Sequence, residues 1–354
     1  CQVHDYMTKS KGYSMKNKIM VAGNIIVDYL YPITGYPERG QLTTIEDGCG
    51  KSVGGAVCNV GIDLKRLMPD TEICALGLVG DDDSGRYALS VMEDEGVNTS
   101  LVGKKGATSF TYVMSDKISR ERTFFQYRGA NAHFSEDSFN WDDIDCDLIH
   151  IAYILLLDEL DKEDREYGTK MARLLAHAKE RGIKTSIDVV SETGERFGRL
   201  VPPALRYTDY CIINEIEASR STGIQLRAED GALIYENVKK VLSKLFELGV
   251  SEWAVIHSPE GGFGMDKDGD YAECGLVYTP SGFIKGKVGA GDAFCAGVLS
   301  AAHRGLSLLD AVKLGNAAAT VSLRSPGATE AMETIEETMR ICSELGFEPV
   351  KLNK

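Results

Sequence analysis

The sequence predicts one α/β domain built on a mostly parallel sheet with helices on both faces. Three observations carry that expectation. Short apolar runs alternate with longer segments of helical period along nearly the whole chain. Several helical segments end at glycines suited to a left-handed cap, Gly96, Gly182 and Gly249. Two extended stretches break the alternation and read as a small sheet standing off the main one.

Taken in order, residues 1–14 are polar, lack an apolar signal core and are expected to form a disordered N-terminal extension. Buried strands are expected at 19–22, 73–78, 148–151, 185–189, 210–213 and 253–257. Helices are expected at 56–67, 84–95, 163–181, 201–207 and 230–248. The odd stretches are 31–45, with two prolines and two glycines, and the pair 108–113 and 122–126 around a turn-prone 116–119. Such a small sheet suits a lid over an active site. A hairpin at Asp268-Gly269 precedes helices at 292–304, 309–323 and 334–345. No linker divides the chain.

Hydrophobic residues make up 43% of the chain and charged ones 26%, which fits a soluble globular protein. The formal charge of −14 opposes phosphate backbones and anionic membrane surfaces, so neither nucleic acid nor membrane is expected as a partner. An anionic ligand would then need a local site of backbone amides, Mg²⁺ or a few cationic side chains. Nine scattered cysteines without a C-x-x-C pair read as reduced and buried, in a cytoplasmic protein. His133, His150 and His257 are too far apart to suggest a metal cluster, and His150 lies within an apolar run.

Two apparent nucleotide motifs fail on spacing. Gly50-Lys51-Ser52 imitates the end of a P-loop, yet Ile45 stands where its first glycine belongs. The Gly48 to Gly55 cluster does not match a dinucleotide fingerprint. Stronger is Gly289-Ala290-Gly291-Asp292 at the start of a helix. Its small residues permit a tight turn with consecutive N–H groups facing an anion, and the helix dipole adds to them. Asp292 at that mouth can take a proton from an attacking hydroxyl. Taken alone, the motif also reads as a glycine-rich turn with Asp292 as a simple cap. Asp28 after the first strand can grip sugar hydroxyls, Gly54-Gly55 lead into a helix bearing Asn59, and Glu217 after the strand at 210–213 can hold the water shell of Mg²⁺.

Together, Gly23…Asp28, Gly54-Gly55-Ala56-x-x-Asn59, Arg128-Gly129-Ala130-Asn131-Ala132, Asn214-x-x-Glu217, Gly289-Ala290-Gly291-Asp292 and Asn316-Ala317-Ala318-Ala319 resemble, in order, the ribokinase-like or PfkB-type carbohydrate kinases. The resemblance implies a three-layer α/β/α domain over residues 15–354, with a β-sheet lid from about 30–52 and 107–128. It implies Asp292 as catalytic base and Gly289, Ala290 and Gly291 as an anion hole. Asp28, Gly54, Gly55, Asn59, Arg128 and Asn131 would meet the substrate, with Arg128 read equally well as a surface ion pair. Asn214, Glu217, Ser258, Gly262 and Asn316 would serve ATP, with Mg²⁺ at Glu217. A homodimer through the lid is implied as well.

The chain departs from that pattern in places. Gly286-Lys287-Val288 replaces the D-T-x that usually precedes the glycines, so an aspartate that often serves a monovalent-cation site is missing and K⁺ dependence stays open. Asp188-Val189-Val190-Ser191-Glu192 and His257-Ser258-Pro259 also differ from the usual wording. The function implied is ATP-dependent phosphorylation of a hydroxyl, expected to be primary, on a small sugar. A nucleoside kinase on the same scaffold and a non-catalytic sugar-binding regulator are the alternatives.

Overall fold

The computed structural model describes residues 17–119, 121–190, 194 and 196–350. The extension expected over 1–14 and the departures at Ser191 and Glu192 lie outside the described residues. Within them a nine-stranded sheet runs in the order Tyr271–Gly275, Gly261–Asp266, Trp253–Ser258, Tyr210–Asn214, Lys184–Val189, Leu148–Ile154, Lys18–Gly23, Glu72–Val79 and Gly103–Lys104. Every neighbouring pair is parallel except the two made by the hairpin at the first edge.

Side-chain alternation divides the interior. Ile19 and Val21 of the first strand enter one apolar core, and Met20 and Ala22 enter the other. Helices Ala56–Leu67, Ala290–His303 and Leu308–Ser322 cover the first face. Lys170–Glu180, Phe197–Leu205 and Val238–Leu248 cover the second. This is the layered α/β/α arrangement the sequence pattern predicts.

Two helices are shorter than expected, for local reasons. The segment expected as helix from 163 opens with a small antiparallel pair, Glu163–Asp164 with Gly168–Thr169. Asp164 turns the chain by accepting from the amides of Glu166 and Tyr167, and the Thr169 hydroxyl then caps Lys170–Glu180 through Ala172 N–H. Likewise Asp230 accepts from Ala232 N–H in a turn, so the following helix begins only at Val238. Phe197–Leu205, by contrast, starts earlier than expected, because Phe197 and Leu200 are buried in the second core.

A separate four-stranded sheet has the order Gly50–Gly54, Ile26–Ile33, Phe110–Asp116 and Arg122–Tyr127. Its second strand starts at Ile26, ahead of the 31–45 stretch expected to be extended, and takes in only the first three residues of that stretch, ending at Ile33; Gly35 and Pro37 follow its end. Tyr112, Phe124, Phe125 and Tyr127 are exposed on this sheet.

Candidate active site

The carboxyl ends of the parallel strands converge on the start of helix Ala290–His303, the position at which open α/β sheets bind ligands. Gly289 caps that helix at φ 75, and its α-carbon packs so closely on Ala328 that a Cβ would lie 2.7 Å from the alanine methyl. Both conditions demand glycine. The first-turn amides have no acceptor within the helix, and Gly289, Ala290 and Gly291 line a cavity of about 230 Å³.

Asp292 forms part of the cavity wall and is nearly buried. Its Oδ2 accepts from Asn59 Nδ2 at 2.9 Å and its Oδ1 from Tyr153 Oη at 3.0 Å. Burial, with the nearby Asp188 carboxylate, raises its pKa to about 6 against the opposing pull of those two donors. Burial also pushes the Tyr153 phenol well above its usual range, so it remains a neutral donor.

Tyr153 sits at φ 66, a conformation costly for a bulky residue, and its N–H donates to Asp188 Oδ1 at 2.5 Å. Behind it, His150 Nε2 lies 3.8 Å from Asp188 Oδ2 and 3.7 Å from Cys295 Sγ, and Nδ1 is 3.0 Å from Ser186 Oγ. The Cys295 thiol is held protonated by burial and the neighbouring carboxylates. Burial lowers the His257 pKa to about 4, leaving a neutral ring tilted against Phe294 at the cavity wall.

Asp28, Gly54, Gly55 and Asn59 lie outside that cavity wall; the Asp28 carboxylate lies directly over Gly54, where any Cβ would collide with it. Burial raises its pKa, against a Thr111 hydrogen bond and the Arg122 charge. Gly55, at φ 81, caps helix Ala56–Leu67, and its neighbour Asn24 leaves no room for a side chain. That helix carries Asn59 to Asp292, so the sugar-side and catalytic candidates meet.

The other expected residues have different surroundings. Arg128 forms a two-pronged ion pair with Asp158, with Nε 3.2 Å from Oδ2. Asn131 uses its amide on backbone: Oδ1 accepts from Ile25 N–H at 3.2 Å and Nδ2 donates to Ile25 C=O at 3.0 Å. Asn214 and Glu217 line the cavity as a reciprocal capping box. Ser258, Gly262 and Asn316 lie outside that cavity wall. Ser258 donates to Glu260, whose carboxylate pairs with Arg227, and Arg227 also grips Glu215. Gly262 packs on Phe294 and Val312, and Asn316 donates to the carbonyls of Cys274 and Gly275 at 2.8 and 3.0 Å.

Sequence reasoning passed over Tyr153 and the buried Asp188 side chain. A signal existed for Tyr153: it stands just past a predicted strand, at the carboxyl edge where ligands bind.

Residues 16–335 match the model of the pfkB family of carbohydrate kinases, and the chain belongs to that family. It is therefore a phosphotransferase with an alcohol acceptor, a sugar or nucleoside kinase of ribokinase type. Over 303 residues it is 24% identical to 5-dehydro-2-deoxygluconokinase of Geobacillus thermodenitrificans, covering 81% of this chain and 83% of that one. The nucleoside kinase of Methanocaldococcus jannaschii is 24% identical over 327 residues, covering 91% and 95%. Among solved structures, Arabidopsis thaliana ribokinase complexed with ribose and ATP superposes with a TM-score of 0.75 at 19% identity, covering 92% of this chain and 98% of that one. Among the described residues no helix is long and apolar enough to cross a membrane.

Proposed function

We propose that the chain transfers the terminal phosphoryl group of ATP to a primary hydroxyl of a small sugar, with Asp292 as general base. The observation that carries this is the buried Asp292 carboxylate at the helix mouth, held by Asn59 and Tyr153 with a pKa near 6. Above that pH it is ionised. Each oxygen accepts one protein donor and keeps a lone pair for the substrate O–H. The amides of Gly289, Ala290 and Gly291 then face the charge on the transferring group.

Asp28, Gly54, Gly55 and Asn59 bind the sugar under the small sheet, which acts as a lid over about 30–52 and 107–128. Arg128 and Asn131 anchor the lid's return, through Asp158 and Ile25, beside the sugar. Asn214, Glu217, Ser258, Gly262 and Asn316 shape the nucleotide side. Among the described residues no three His, Cys, Asp or Glu side chains form a cage, while Glu217 and Asp188 put carboxylates in the cavity; such oxygens suit Mg²⁺ held largely through water and phosphate. Bound through water at Glu217, Mg²⁺ would neutralise phosphate charge. The exposed aromatics of the lid are the surface through which two copies would pair.

The test is Asp292→Asn, expected to lower kcat at least about a hundredfold with ATP affinity little changed. Near-normal turnover would sink the mechanism. ADP release measured across pentoses, hexoses, keto-acid sugars and nucleosides decides the acceptor. The likeness to an archaeal nucleoside kinase favours the second reading, and activity confined to nucleosides would establish it.

A further inference from the structure

We propose that Lys287 binds the oxygens of the transferring phosphoryl group and so serves as a catalytic cation in the pocket. The inference rests on reading this cavity as the phosphoryl-transfer site. Among the described residues, three carboxylates, Asp188, Glu217 and Asp292, line the cavity, and Lys287 is the one lysine or arginine in its wall. The whole chain carries a formal charge of −14. A polyphosphate entering there meets like charge, and the backbone nest offers partial charges only.

The loop holding Lys287 is pinned while its side chain is not. Lys285 N–H donates to Leu323 C=O at 2.7 Å. At Gly286 a Cβ would lie 2.7 Å from the α-carbon of Pro326, and Gly289 abuts Ala328. The backbone is thus braced on both sides of Lys287 by the 323–328 segment. Its exposed ammonium, among the described residues, has no salt bridge or hydrogen-bond partner. Other cations of the region are committed: Arg227 to Glu215 and Glu260, and Arg128 to Asp158.

A lysine that stabilised the fold would be paired or packed. Here a compact, three-donor charge on a flexible stem is carried by a braced loop at the wall of an acidic cavity. It sits two residues before the glycine that starts the anion-facing helix, beside the place where charge on the phosphoryl oxygens must be balanced.

The experiment compares the full chain with Lys287→Met and Lys287→Arg, using the best acceptor from the panel, and measures binding of ADP and of a non-hydrolysable ATP analogue. Lys287→Met is expected to lower kcat about ten- to a hundredfold, leave the acceptor KM unchanged, and weaken the ATP analogue more than ADP. Lys287→Arg is expected to restore most of the turnover, which a lost packing contact would not explain. A Met variant with parental kcat and parental analogue-to-ADP preference overturns the proposal. Asp292→Asn, assayed in parallel, separates the two levels. An inactive Asp292 variant beside a fully active Lys287→Met defeats the lysine alone, whereas activity in both defeats the site.

Discussion

Asp292 and Asp63 lie close enough for the charge of one to act on the other, and both are shielded from water on the neighbouring helices Ala290–His303 and Ala56–Leu67. Their partners differ. Each oxygen of Asp292 accepts a hydrogen bond, whereas among the described residues neither oxygen of Asp63 has a partner. Burial drives both pKa values up; the Asn59 and Tyr153 donors hold Asp292 at about 6, while Asp63 stays well above the usual carboxylate range. The first is mostly ionised at neutral pH, and the second is pushed toward its neutral form. Burial without donors thus pushes a carboxyl toward its neutral form, and burial with two donors leaves one that titrates just below neutrality, as the proposed base requires.

Breaking the comparison at Asp292 has the largest expected consequence, the hundredfold or greater fall in kcat for Asp292→Asn. In the parent, kcat/KM should rise as pH climbs through about 6, since the carboxylate is the active form. Asn59→Leu removes one of the two donors and leaves the charged form less favoured. The acid limb should move upward by roughly one unit, with turnover at pH 6 falling about fivefold. An unmoved limb in that variant would show that the amide does not tune the base. Tyr153→Phe removes the other donor and should shift the limb in the same direction by less, costing a few-fold near pH 6.

The smallest effect on activity is expected at Asp63. Its raised folded pKa means that the acid form contributes stability fully at pH values below the unfolded pKa, and this is lost as pH rises toward the folded value. Asp63→Asn abolishes that dependence. Asn59, four residues earlier on the same helix, has an Oδ1 without a partner among the described residues, an acceptor at the spacing an amide at 63 can reach. Thermal unfolding across pH should show the variant gaining on the parent as pH increases, reaching about 1–3 kcal/mol near neutrality. A parallel pair of curves would mean that Asp63 is not a buried acid.

Much of this arrangement was readable from local pattern. Continuous apolar runs marked the strands, because parallel strands are covered on both faces. Gly289-Ala290-Gly291-Asp292 was readable because a glycine-dependent turn and a helix start are written in adjacent residues. Tyr153 escaped notice because its contact spans 139 positions, and a tyrosine after a strand is as easily core. The roles of Asn131 and Asn316 are similarly non-local: each amide bonds backbone supplied by a distant strand or loop. Where helices were misjudged at 163 and 230, aspartates that form turns also suit a helix start, so composition favoured both.

The contact between Gly289 and Ala328 extends the site's mutational footprint beyond its chemistry. Ala328 has only a methyl to offer, yet that methyl packs against the α-carbon of Gly289, at the start of the turn. Anyone redesigning acceptor preference would do well to leave the 323–328 segment untouched. A larger side chain at that alanine would press on the turn whose amides are proposed to meet the phosphoryl group, and the expected result is a loss of rate without a change in acceptor KM.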